Sequence, residues 1–348
     1  MMRTILTVTL LAAMAAPSAA QDQRIEARVV IREAAAMARR EAAAQRQDSR
    51  EQVERTTRTL KVGANGELQL ANVSGDIVVS RGGNDVSVEI IKTARGRTDE
   101  DARELLQLVQ VEVVERGGRA EVKTQYPSGD EMRRNNRRNF NVSVAYNVTA
   151  PAGIRLRATS VSGSITVRDI KGDVSAESVS GAVRIFNGGR ITTAKSISGS
   201  VEVNDADIDG RFNASSVSGS VILRRVKARQ LDLGSISGEV LLDDVDSQQL
   251  AAQTVSGNVR FGGTVAKGGR YEMSSHSGNV SVTLGGSTGF EVEATSFSGS
   301  IRSDFTFSGG SGDAGNARWR KSIRGVYGDG SAVLDLTTFS GSIVISKR

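Results

Sequence analysis

The chain has 348 residues, with 45 Lys and Arg against 39 Asp and Glu, one histidine, no cysteine, and 38 glycines to 3 prolines. That length is ample for a sizeable buried core. The missing cysteines exclude disulfides, thiol chemistry and a lipid-modified cysteine anchor, and a lone histidine excludes a histidine metal cluster.

The first predicted element is a signal peptide over residues 1–20. Arg3 gives a positive start, an apolar run follows from Ile5 to Ala16, and Ser18, Ala19 and Ala20 precede a cleavage point at Ala20/Gln21. The run is shorter than the roughly 20 residues a bilayer crossing requires. No later segment is long and apolar enough to span, so the expectation is an exported chain without a transmembrane span, in the periplasm or at the cell surface. Residues 21–60 are rich in Ala, Glu, Arg and Gln, and 22–59 contain neither Gly nor Pro. Helix propensity is high there, but the apolar face is too thin for a core, which predicts a charged helical or partly disordered stalk.

One β domain is expected over residues 61–348. In LKVGANGELQLANVSGDIVVS apolar and polar residues alternate around a turn at Gly63, Asn65 and Gly66. TDEDARELLQLVQ predicts a short helix, with Thr98 as N-cap and Asp99, Glu100 and Asp101 on the positive end of its dipole. Residues 61–150 thus form an embellished N-terminal part. Within it, EMRRNNRRNF holds Arg133, Arg134, Arg137 and Arg138, either a contact for phosphate or acidic polysaccharide or a solvated loop. It lacks the interleaved aromatics of a single-strand groove, and no nucleic-acid partner is expected.

From residue 151 the chain repeats itself. Copies of a unit such as TSVSGSITV (Thr159–Val167) carry glycines at 75, 163, 181, 199, 219, 238, 257, 278, 299 and 341. From Gly163 these stand 18, 18, 20, 19, 19, 21 and 21 apart, and the last gap of 42 is read as two turns with one copy eroded. Such a period marks units that stack to bury a shared face. The expected fold is all-β, a parallel β-helix or β-solenoid of about nine or ten turns with rungs of 18–21 residues. Side-chain parity in KGDVSAESVSGAVRIFN puts Val174 and Ala176 inward, then resets at a corner near Ser178 so that Val179, Gly181, Val183 and Ile185 point inward. By the same count Ser162, Ser180, Ser198, Ser218, Ser237, Ser256, Ser277, Ser298 and Ser340 form an outward column. The inward glycine answers either a wall too close for a Cβ or a bulge with positive φ.

These units, Ser or Thr, then Val, Ile, Phe or His, then Ser-Gly-x-Val or Ile, resemble the bacterial DUF4097 family, β-strand repeat proteins of adhesin type. PAGIRLRATSVSG (Pro151–Gly163) and AVLDLTTFSGSIVISKR (Ala332–Arg348) add to the resemblance, which covers about Lys61 to Arg348. It implies an exported envelope or surface protein with a β-helical body, and it brings no catalytic residue with it.

The residues themselves assemble no reaction centre. Six positions after successive glycines stand Asp169, Asn187, Asp205, Arg225, Asp244 and Gly263, a column of mixed charge. In NDADIDG, Asp205, Asp207, Asp209 and Gly210 match the opening of a calcium loop. Its twelfth position is Ser216 where a glutamate is needed, so turn-forming aspartates are the better reading. His276 falls at an inward slot by the parity count; Ser274, Ser275 and Ser277 lie beside it, but there is no orienting acid. No cofactor or metal is expected. The function expected is a non-enzymatic binding or structural protein, with an anionic polysaccharide, another envelope component or a protein as partner. The rivals are a polysaccharide-active β-helix enzyme and an envelope-stress regulator acting through protein contacts.

Overall fold

The computed structural model describes residues 50–128, 140–309 and 321–348. Their architecture is all-β: 23 strands hydrogen-bonded into one continuous sheet system, with one helix. The N-terminal part runs through Arg50–Leu60 (β1), Glu67–Asn72 (β2), Ile77–Arg81 (β3), Val86–Gly96 (β4), the helix Asp99–Leu108 (α1), Gln110–Arg116 (β5), Arg119–Gln125 (β6) and Val142–Ala150 (β7). Thr98 caps α1 as the sequence indicates, its side chain accepting from the Asp101 N–H. The repeats follow as Arg155–Ser160 (β8), Ile165–Arg168 (β9), Val174–Ser178 (β10), Val183–Phe186 (β11) and Ile191–Ser196 (β12). Three long strands come next, Val201–Ser216 (β13), Val221–Ser235 (β14) and Val240–Thr254 (β15), then Val259–Thr264 (β16), Arg270–Ser277 (β17) and Val280–Gly285 (β18). The chain closes with Phe290–Ser296 (β19), Ile301–Ser303 (β20), Ser322–Tyr327 (β21), Ala332–Ser340 (β22) and Ile343–Lys347 (β23).

Each repeat lays one strand on each of two parallel ladders. In the first, β8, β10, β12, the C-terminal parts of β13 to β15, and β17 pair in turn. In the second the order is β9, β11, the N-terminal parts of β13 to β15, β16 and β18. Equivalent residues sit opposite one another, Val183 on Val201 and Val221 on Val240. Alternate side chains therefore form unbroken buried columns, which is why short runs of Val, Ile, Leu and Ala suffice for a core that stays dry from layer to layer.

Both ends depart from a regular series. Leu60 is the only buried residue of β1, which pairs antiparallel with β4 along its whole length. Residues 50–60 are thus strand, not stalk: Val53, Thr56 and Thr57 suit a pleated edge, and a formed β4 offers them partners that no helix could match. At this end β6 and β7 flank β2 and β3, although they come later in the chain. At the other end β22 lies between β17 and β19, and β23 between β18 and β20. The 42-residue gap is therefore not two turns with an eroded copy. The chain goes past its final position, adds β21 antiparallel to β19, and returns to fill the vacant layer. Antiparallel β4, β5 and β21 cover the outer edges of β7, β6 and β19, which would otherwise template aggregation, and β1 in turn covers β4. Phe290, Phe305, Phe307 and Tyr327 close the C-terminal end of the core with rings 4.8–6.5 Å apart.

Candidate functional site: the repeat corner

The repeated unit occupies the corner between the two ladders. Its first residue, not its serine before glycine, is the structural hydroxyl. Ser160, Ser178, Ser196, Ser216, Ser235, Thr254, Ser275, Ser296 and Thr338 are all buried, and Asn72 takes the same place in the first copy. In Ser178, Ser196, Ser216 and Ser235 the hydroxyl accepts from the N–H of the glycine three residues on and donates to the glycine carbonyl of the adjacent layer; Thr254, Ser275, Ser296 and Thr338 make the second of these bonds and Ser160 the first. For Ser178 these contacts are Gly181 N at 3.0 Å and Gly163 O at 3.0 Å, and for Ser196 they are Gly199 N at 2.9 Å and Gly181 O at 2.9 Å. Where both bonds form, one N–H and one C=O that the turn would leave unpaired in the interior are thereby satisfied.

The glycines are required by this close approach. A Cβ on Gly181, Gly199, Gly219 or Gly238 would lie 2.0–2.2 Å from the carbonyl oxygen of the preceding glycine. Among the repeat glycines only Gly75 has positive φ, so of the two explanations the sequence left open the neighbouring backbone is the one that holds, and it belongs to the next layer rather than the opposite wall.

The serines before glycine are exposed, as counted. The residue before each of them is not inward. Val73, Val161, Val179, Ile197, Val217, Ile236, Val255, Phe339 and Phe297 are 38–65% exposed. Val161 and Ser162 both face solvent, so parity resets between them, within the bend, and not at the preceding serine. His276 belongs to this outer column and is exposed; its ring stacks on Phe339 at 4.9 Å, and Phe339 on Phe297 at 4.6 Å. One signal in the sequence marks the true orientation. The slot that admits Phe and His among valines cannot be tightly packed, whereas the slot confined to Ser, Thr and, once, Asn is.

On the far turn, Asp169, Asn187, Asp205, Arg225 and Asp244 all adopt φ of 51–59°. The mixed column is a row of left-handed corners, where the short polar Asp and Asn are the side chains that tolerate the conformation. Arg225 binds Asp205 through two hydrogen bonds of 2.5 and 2.9 Å, which hold the Asp205 carboxyl below its ordinary range. Arg229 meets Asp209 at 3.3 Å, and among the described residues no group of acids or His is placed to hold a metal. The aspartates of NDADIDG do not converge.

A cleft of about 460 Å³ opens at the N-terminal end, floored by Ile90, Val111 and Val113 and edged by Glu54, Thr56, Arg58 and Lys92. Residues 1–49, including the expected signal peptide and most of the stalk, lie outside the described residues. So do Arg133, Arg134, Arg137 and Arg138, in the link between β6 and β7. Among the described residues no helix is long and apolar enough to cross a membrane.

Solved structures of similar shape include a "putative adhesin" from Parabacteroides merdae, 8% identical, covering 84% of this chain and 96% of its own, with a TM-score of 0.44. A "putative lipid binding protein" from Parabacteroides distasonis is 13% identical over 85% of this chain and 97% of its own, with a TM-score of 0.43. A "putative adhesin" from Bacteroides fragilis gives 13%, 85%, 97% and 0.41 for the same measures. No curated protein matches the sequence. Residues 67–346, with the glycine corners and both terminal returns inside them, match the family described as Toastrack DUF4097, and the chain belongs to that family.

Proposed function

We propose that the chain is a β-solenoid exported to the periplasm or cell surface, where it acts without catalysis as an adhesin-type binding or structural protein. The observation that carries this reading is that the hydroxyls, acids and histidine singled out by the sequence are each placed with structural neighbours and do not converge on one another. Inner hydroxyls such as that of Ser216 bridge glycines of adjacent layers, Asp205 and Asp209 of NDADIDG face arginines, and the histidine ring lies against Phe339. What the molecule offers a partner is an extended, rigid side surface. The leader-like residues 1–20 and the family membership support export. Arg133, Arg134, Arg137 and Arg138 are the proposed contact for an anionic envelope component; such binding weakens with salt and with replacement of the four arginines.

The test is a screen of the purified protein against acidic and neutral polysaccharides, following both retention and new reducing ends. Retention without new ends is the expected result. New reducing ends above a boiled control would replace this reading with a polysaccharide-active enzyme.

A further inference from the structure

The outer apolar column is a continuous feature of the surface. From Val73 to Phe297 it places one apolar or aromatic side chain on each of ten stacked layers, with His276 as the single exception. At about 4.8 Å per layer the ridge is roughly 43 Å long. It exposes on the order of 600 Å² of apolar surface, at the top of the roughly 300–600 Å² of the largest patch on a soluble monomer. Its backbone is fixed, because the Ser218 N–H bonds to the Ile197 carbonyl at 2.8 Å, Ser237 to Val217 at 2.9 Å and Ser256 to Ile236 at 2.7 Å. We propose that this ridge is the interface of a homodimer, with a second copy of the chain laid ridge against ridge.

Four observations select that occupant. Two such ridges together remove about 1,200 Å², the lower bound of a standard specific interface. The flanks are nearly free of charge: every residue after the ridge is Ser, and among the outward residues two before and three after it over the ten layers only Asp76, Glu177, Lys195 and Glu239 are charged. That depletion is the mark of an interface core, and it leaves no basic collar for an anionic lipid surface. The corner N–H and C=O groups are already bonded between layers, so no strand can add there. The rings of His276, Phe339 and Phe297 lie face to face with planes 6° apart, which hides both faces of Phe339 and one face each of His276 and Phe297, so most of the ring face a sugar would stack on is taken up within the ridge. A straight ridge of fixed period is matched in length and spacing by its own copy, in the isologous arrangement usual for dimers.

The chain has no cysteine, so Ile236→Cys or Val217→Cys introduces a unique, exposed thiol at the ridge. Under mild oxidation these variants should give covalent dimers at micromolar protein, while Asp207→Cys, on the far side of the stack, should not. In sedimentation equilibrium the wild-type protein should be a dimer and Val217→Glu a monomer that still unfolds cooperatively, with a melting temperature lowered only by loss of the stabilisation that association gives the folded state. Ile236→Lys serves as a second variant should Val217→Glu fail to fold. The proposal is overturned if the wild type sediments as a monomer at 100 µM. It is overturned equally if the ridge variants remain dimers, which would move self-association elsewhere, including to residues 21–49. A monomer that pellets with neutral phosphatidylcholine vesicles until Val217→Glu is introduced would make the ridge a lipid contact. None of these outcomes bears on the polysaccharide screen, so the two readings stand or fall separately.

Discussion

The Ser216 hydroxyl lies 2.8 Å from the Gly199 carbonyl oxygen and 2.9 Å from the Gly219 nitrogen, so a single oxygen ties the corner of its own layer to the layer before it. Ser218, two residues on, faces solvent. Ser216→Ala should therefore cost about 1–3 kcal/mol, since a buried donor and a buried acceptor lose their partner together. Ser218→Ala should change stability by no more than about 0.5 kcal/mol. Urea unfolding of the two variants checks the assignment, and equal effects would contradict it.

Gly219 has no room for a side chain. A Cβ there would stand 2.2 Å from the Gly199 oxygen and 2.5 Å from its carbonyl carbon, so Gly219→Val must force two layers apart. The expected cost is at least about 1–3 kcal/mol. Gly234 is the control: its φ is not positive and the nearest atom to a Cβ is the Gln253 oxygen at 3.9 Å. Gly234→Ala should be neutral or stabilise by up to about 1 kcal/mol, through reduced freedom of the unfolded chain.

Burial pushes the Tyr146 phenol up to about 12, against an ordinary 10.0, and burial does the same to Tyr126. Between those values the unfolded chain releases phenolic protons that the folded chain keeps. Stability from these groups is complete below pH 10 and falls as pH rises from 10 towards 12. Tyr146→Phe removes one titrating group, so its melting temperature should decline less steeply than that of the wild type across this window. Parallel curves for the two proteins would count against a phenol held neutral by burial.

Arg225 holds a left-handed backbone at φ 52° with a side chain unsuited to it. Its ion pair with Asp205 is exposed and adds little. Arg225→Asn should leave stability unchanged or raise it slightly, because Asn tolerates the conformation. Arg225→Val should lower it by about 1–2 kcal/mol or more. Thermal melts of the pair decide, and a Val variant as stable as the Asn variant would argue against a strained corner.

Residues 332–348 end the chain but fill the middle of its last three layers. Deleting them should do more than shorten the stack, because β19 and β20 lose the strands that join them to β17 and β18. Limited proteolysis should then cut within 290–327 at protease levels the full chain withstands. If that segment stays protected, the interleaved order of the last layers is wrong.

Much was legible in the sequence because a stacked repeat writes its neighbours into the chain. The spacing of Gly163, Gly181 and Gly199 determined that these residues lie over one another, the alternation around Val183 and Ile185 determined a wall with one dry face, and the acidic turn after Thr98 determined the helix. Each depends on interactions within a few residues or on a period that sequence displays. The direction of the corner was decided only by the tertiary structure. A bend of three residues can reset parity at any of its positions, and the choice fell on burying Ser178 because the glycine carbonyl of the next layer needed a donor, which left Val179 outside. The order of the layers at the ends was likewise a tertiary matter. Nothing in β22 or β23 records that the return fits between β17 and β19, because the advantage lies in pairing strand edges on both sides, and that belongs to the assembled stack.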